Sequence, residues 1–164
     1  SATALVPDYE HLVVLRTMSK AWASAGLRCG SVIAQQSVIG LLRRVIAPYP
    51  LPSPVVDLAL RMLQDDMLEA QGRMLERISE NKRTLLGMLK NRTFIRQLIP
   101  GEANFVLLRM ERADELLMFC AERNLVLRGF PADPALRDCV RITVGSKEDL
   151  VRLADTLDEW ESMT

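Results

Sequence analysis

Apolar and polar positions alternate in blocks along this chain, and the blocks predict its elements. The run His11-Leu12-Val13-Val14-Leu15 predicts a buried strand over 11–17, and a second strand is expected over 29–34, so that the two flank one turn. Over 36–47 the apolar residues Val38, Ile39, Leu41, Leu42, Val45 and Ile46 recur at helical spacing, with Arg43 and Arg44 on the outer side. Pro48, Pro50, Pro52 and Pro54 then exclude a helix interior, because proline lacks the amide donor and restricts the residue before it. A short helix is expected over 54–63. A long one follows over 65–91, with Leu68, Leu75, Ile78, Leu85 and Leu89 on one stripe. Gln71 and Lys82 interrupt that stripe, which favours an interdomain helix over a coiled coil.

The remainder alternates between strand and helix patterns. Strands are expected over 93–99 and 104–110, separated by Pro100-Gly101, then a helix over 113–123 and a strand over 125–130. After the turn Pro131-Ala132-Asp133-Pro134 comes a strand over 139–144, and Ser146 opens the last helix with Asp149 placed for a capping box. The expected fold class is α/β: an open-sheet segment over 1–64, then a long helix and a small α+β domain over 65–164.

Composition narrows the function. The 164 residues carry 21 Lys and Arg against 21 Asp and Glu, a formal charge of zero, and only 5% are aromatic. Neither a grip on a phosphodiester backbone nor a set of stacking platforms is expected, so no nucleic-acid partner is. No apolar stretch is long enough to suggest a membrane span, and no leader pattern opens the chain. Cys29, Cys120 and Cys139 are widely spaced and odd in number, which fits reduced thiols and a cytoplasmic setting. His11 is the only histidine, so Ser-His-Asp catalysis and histidine-rich metal sites lack their parts.

The candidate chemistry sits between the first two strands, in the stretch TMSKAWASAGLRCG over 17–30. Lys20 is placed to form a Schiff base with an aldehyde, given burial or a neighbouring cation such as Arg28 to free its amine. Thr17, Ser19 and Arg28 offer hydroxyl and guanidinium donors of the kind that hold a phosphate. An aldehyde bearing a phosphate describes pyridoxal 5'-phosphate. Farther on, Arg141 stands between Val140 and Ile142 in an expected strand, an awkward place for an arginine unless it meets an anion.

These residues carry a resemblance. Ser19-Lys20 followed by Ala25-Gly26-Leu27-Arg28-Cys29-Gly30, then Val45-Ile46-Ala47-Pro48-Tyr49-Pro50-Leu51, Ala103-Asn104-Phe105-Val106-Leu107 and Val140-Arg141-Ile142-Thr143-Val144-Gly145, resemble in order the pyridoxal-phosphate-dependent aminotransferases of the aspartate aminotransferase fold. More narrowly they resemble the branch that exchanges an amino group between histidinol phosphate and 2-oxoglutarate, with glutamate as the other product. The resemblance implies Lys20 as cofactor anchor and proton carrier, Thr17, Ser19 and Arg28 as phosphate contacts, and Arg128 and Arg141 as contacts for the substrate's acidic group. It implies a homodimer. It covers the C-terminal half of such enzymes, with 1–64 as the end of the large cofactor-binding domain. The aspartate that pairs with the pyridine nitrogen and the tyrosine that meets the phenolic oxygen are expected upstream, so this chain is expected to hold part of an active site. Asn104 matches a family position, with stabilising a strand end as the alternative, and Tyr49 in the proline loop is expected to be structural rather than close to the site. An aromatic-amino-acid aminotransferase, a threonine-phosphate decarboxylase of the same fold and a non-catalytic fragment are the alternatives.

Overall fold

A computed structural model describes residues 1–163 and divides into two compact units, Ser1–Leu75 and Glu76–Thr164. The sequence pattern placed the division at 64/65, ahead of the long helix; the structure cuts within that helix.

In the first unit a single 3-10 turn, Ala2–Leu5, capped by the Ser1 hydroxyl, leads to β1, Val14–Thr17. β1 pairs antiparallel with β2, Gly30–Ile33, in the register Val14 to Ile33 and Thr17 to Gly30. Both strands are shorter than expected, and His11 lies outside β1. Three helices follow: α1, Gln36–Val45; α2, Ser53–Met62, entered through Pro52 and carrying Pro54 in its first turn, where a missing amide costs nothing; and the start of α3, Asp65–Leu89. Val6 and Met62 are the only buried apolar residues among positions 1–75. Leu15 is 74% exposed, Val45 80% and Tyr49 95%, so α1 and β1 have the predicted apolar periodicity without burying it, and Tyr49 takes no structural packing role within its unit.

The second unit has a closed core. β3, Gln97–Ile99, β4, Phe105–Arg109, β5, Arg128–Gly129, and β6, Cys139–Thr143, form an antiparallel sheet in the order β3-β4-β6-β5. Val106 and Leu108 pair with Ile142 and Val140 on its inner face. Against that face pack the last turns of α3 through Leu85 and Leu89, α4, Ala113–Glu122, through Leu116 and Cys120, and α5, Lys147–Ser162, through Leu150, Leu153 and Leu157. Each fully buried leucine removes from water a side chain worth about 1.5–3 kcal/mol. Trp160 meets Phe119 edge to face at 5.3 Å. The predicted strand over 125–130 contracts to two residues: the Leu125 amide is tied back to the Cys120 carbonyl at the end of α4, and Leu125 and Leu127 pack on the core while Val126 is exposed. The expected strand over 93–99 starts late because Thr93 donates from its amide and hydroxyl to Glu161. Ser146 caps α5 as predicted: its hydroxyl accepts from the Asp149 amide, and the Asp149 carboxylate accepts from the Ser146 amide.

Candidate functional site

The turn between β1 and β2 is built on the backbone before any side chain contributes. The Met18 amide donates to the Cys29 carbonyl, Ser24 donates back to Met18, and the Ala23 amide closes a tight turn on the Lys20 carbonyl at 2.9 Å. From α3, Gln71 donates to the Ala21 carbonyl at 3.3 Å. A residue that interrupts the helix stripe thus ties the helix to the turn. Ala23 and Arg28 take left-handed backbone conformations, φ 50° and 52°, where the chain bends around the lysine. Gly30 closes the turn opposite Thr17, and a Cβ there would lie 2.7 Å from the Arg16 carbonyl oxygen, so the close crossing needs glycine.

On this base stand Thr17, Ser19, Lys20 and Arg28. The Thr17 hydroxyl accepts from the Ser19 amide at 3.1 Å and donates to the Ser19 hydroxyl at 2.8 Å. The Ser19 proton is left without an acceptor among the described residues. Arg28 spends one N–H on the Ala25 carbonyl at 3.1 Å and has no carboxylate partner among the described residues. Lys20 is exposed. The donor set of Thr17, Ser19 and Arg28 fits a phosphate: two hydroxyls and a guanidinium, with no carboxylate partner among the described residues.

The second cluster lies on the sheet face away from the helices. Arg128 on β5 is the direct register partner of Arg141 on β6, whose other neighbour is Leu107 on β4. Arg141 stacks over Phe105 at 5.1 Å, and Arg128 lies 5.8 Å from the Phe130 ring centre. The Arg141 Nε is buried with no hydrogen-bond partner, and neither guanidinium has a carboxylate within reach among the described residues. Like charges directly opposite on paired strands repel, and a buried unpaired N–H of a cation costs more. Arg92, Arg96, Arg109, Arg112 and Arg123 of the same unit all have acidic partners. Arg77, Arg83, Arg137 and Arg152 lack such a partner too among the described residues, so what sets this pair apart is its register opposition and the buried, unbonded Arg141 Nε. Asn104 plays a backbone part, its carbonyl accepting from Val144.

Three contacts, made by two side chains, escaped the sequence reading. Lys82 donates to the Gly101 and Ala103 carbonyls at 2.8 and 2.6 Å, and Asn81, buried, donates to Gly145 at 2.8 Å. The break in the helix stripe at Lys82 was the available signal. No cluster of potential metal ligands occurs among the described residues, and no helix there is long and apolar enough to cross a membrane.

The geometry now has a family behind it. Residues 1–157 match the family described as aminotransferase class I and II, and the chain belongs to it. It is 38% identical over 157 residues to the histidinol-phosphate aminotransferase of Escherichia fergusonii, a match covering 96% of this chain and 44% of that relative. The crystal structure of the histidinol-phosphate aminotransferase from Clostridium acetobutylicum superposes with a TM-score of 0.88 at 21% identity, covering 100% of this chain and 50% of that one. The enzyme of the same name from Sinorhizobium meliloti, solved with pyridoxal-5'-phosphate, gives 0.76 at 18% identity, covering 95% and 42%. The chain therefore spans a little under half the length of the relative from Escherichia fergusonii. The fold is that of the pyridoxal-phosphate aminotransferases, and the family is pyridoxal-phosphate dependent.

Proposed function

We propose that this chain supplies the lysine and the anion-binding arginines of a pyridoxal-phosphate-dependent aminotransferase that moves an amino group between histidinol phosphate and 2-oxoglutarate. The observation that carries the reading is the Arg128–Arg141 pair, register partners on adjacent strands with no carboxylate partner among the described residues and with the Arg141 Nε buried without a hydrogen bond. Such a pair accepts a carboxylate from one substrate and a phosphomonoester from the other, which a single exchange reaction with these two partners requires.

Thr17, Ser19 and Arg28 would hold the cofactor's phosphate, and Lys20 its aldehyde carbon. Pyridoxal phosphate, when bound, supplies the electron-withdrawing ring that makes the substrate's α-proton acidic. Lys20 would take that proton at its Nζ and return it, and Arg128 and Arg141 would hold the substrate's acidic group. The tight turn at Lys20–Ala23 serves this by fixing the lysine backbone. We extend the reading to a homodimer in the cytoplasm. The exposed apolar positions of α1 and the free cysteines support this, and sedimentation in reducing buffer reads the assembly.

The test is chemical. Purified protein is incubated with pyridoxal phosphate, reduced with borohydride and digested; the peptide containing Lys20 should carry the added mass, and Lys20→Ala should remove both the adduct and the visible absorbance. In amino-transfer assays Lys20→Ala should lower the rate by about 10²–10⁴-fold, the range of a lost general base. Unmodified Lys20, or label spread over surface lysines, would refute the assignment. Comparing histidinol phosphate, phenylalanine and threonine phosphate as substrates separates the proposed reaction from its rivals.

A further inference from the structure

β5 is two residues long, yet it carries one of the two arginines. Two ladder pairs are a weak fastening, and the repulsion between Arg128 and Arg141 works against even these. Gly129 gives part of the answer, since it lies so close under Leu117 of α4 that a Cβ would fall 2.4 Å from the leucine Cδ1.

The other part is a clamp. Arg109, on β4 opposite Cys139, donates through Nη1 to both carboxylate oxygens of Asp138, at 2.7 and 2.8 Å, and through Nη2 to the Ala135 carbonyl at 3.1 Å. Directly after it, the Met110 amide donates to the Asp138 carbonyl at 2.9 Å. One planar guanidinium thus fixes the connection from β5 to β6 at two points, Asp138 and Ala135. A lysine could reach one of them but lacks the flat, multi-donor fork that reaches both. The hydrogen bond from Arg109 also holds the Asp138 carboxyl below the usual carboxylate range.

We propose that Arg109, acting through Asp138 and Ala135, is a positioning residue that keeps β5 in register so that Arg128 stands opposite Arg141. This rests on the reading of those two arginines as the anion site. Arg109 touches no substrate in this scheme; it sets where another cation stands.

The experiment titrates the 164-residue protein with inorganic phosphate, followed by calorimetry, in the wild type, Arg109→Gln, Arg109→Lys, Arg128→Gln, Arg141→Gln and the double variant Arg109→Gln/Arg128→Gln, with a thermal melt for each. Arg109→Gln should weaken phosphate binding about fivefold, in the range of coupling between residues sharing a network, and Arg109→Lys should recover part of that. In the Arg128→Gln background the same change should have no further effect on affinity, while its effect on the melting midpoint persists. A purely structural staple would lower the midpoint and leave affinity alone, or would weaken binding equally in both backgrounds; either result overturns the proposal while leaving the anion site standing. Absence of binding in the wild type, or unchanged binding in both Arg128→Gln and Arg141→Gln, refutes the anion site and the proposal with it. If Arg109→Gln does not fold, Asp138→Asn, which keeps the Ala135 contact and removes the charge pair, carries the same comparison.

Discussion

The two units show how differently the same kind of apolar periodicity can be used. From Glu76 onward, apolar positions converge on one core, with Leu85, Leu108, Leu116 and Leu157 fully buried. Before it, the periodic residues of β1 and α1 remain largely solvated. α3 carries the contrast within a single helix: Leu68 and Leu75 are 41% and 39% exposed, while Leu85 and Leu89 are sealed. Periodicity reports which face of an element is apolar, and burial reports whether anything within the described chain covers it. The second unit builds its arginine pair on a self-sufficient scaffold. The first holds its lysine mainly by backbone hydrogen bonds in a turn.

The largest test of that contrast is in the core. Leu108→Ala or Leu157→Ala should cost about 2–5 kcal/mol by cavity formation. Leu15→Ala in the first unit should stay within about 0.5 kcal/mol, as expected of a surface position. Urea denaturation measures both, and equal losses would erase the distinction. A smaller effect tests the second unit's local order. Ser146→Ala breaks the capping box and should destabilise α5 by about 1 kcal/mol, with hydrogen exchange rising at the amides of its first turn. Unchanged exchange there would show that packing alone orders the helix.

The smallest effect is the pH response of the same unit. Hydrogen bonds from Thr93 depress the Glu161 carboxyl, Arg123 does the same for Glu159 and Arg109 for Asp138, while the Ser146 amide lowers Asp149. A depressed carboxyl contributes stability that is complete above its unfolded value of about 4 and is lost as pH falls through its folded value. At the other extreme, burial pushes the Cys120 thiol up to about 11. That contribution is complete below the ordinary thiol value and fades as pH rises toward 11. Melting curves of the second unit's helical signal should therefore hold a plateau around neutrality and fall on both sides. A midpoint that kept rising into acid would contradict the carboxylate assignments.

Much of the second unit was legible in the sequence because its signals are local: a serine three residues before an aspartate, a Pro-Gly break, an arginine between two apolar strand residues. What could not be read depends on partners distant in the chain. Arg109 looked like an ordinary strand end, and its partner lies 29 residues on. Arg128 was readable as a cation, but its opposition to Arg141 is a matter of register, which no single strand encodes. The division within α3 was hidden because one unbroken helix runs through the boundary, with Leu75 and Ile78 continuing its stripe across it. In the lysine turn, the residue types were legible and the Gln71 tether was not, since a glutamine in a helix stripe looks like a flaw.

Arg28 ends the short 3-10 turn Ala25–Leu27 in a left-handed conformation, φ 52°, that a glycine would adopt without strain. A laboratory evolution campaign selecting only for heat tolerance should be drawn to glycine at that position, and would lose the guanidinium in gaining a relaxed backbone. With Arg28 as the proposed phosphate contact, durability and anion capture compete there for one codon.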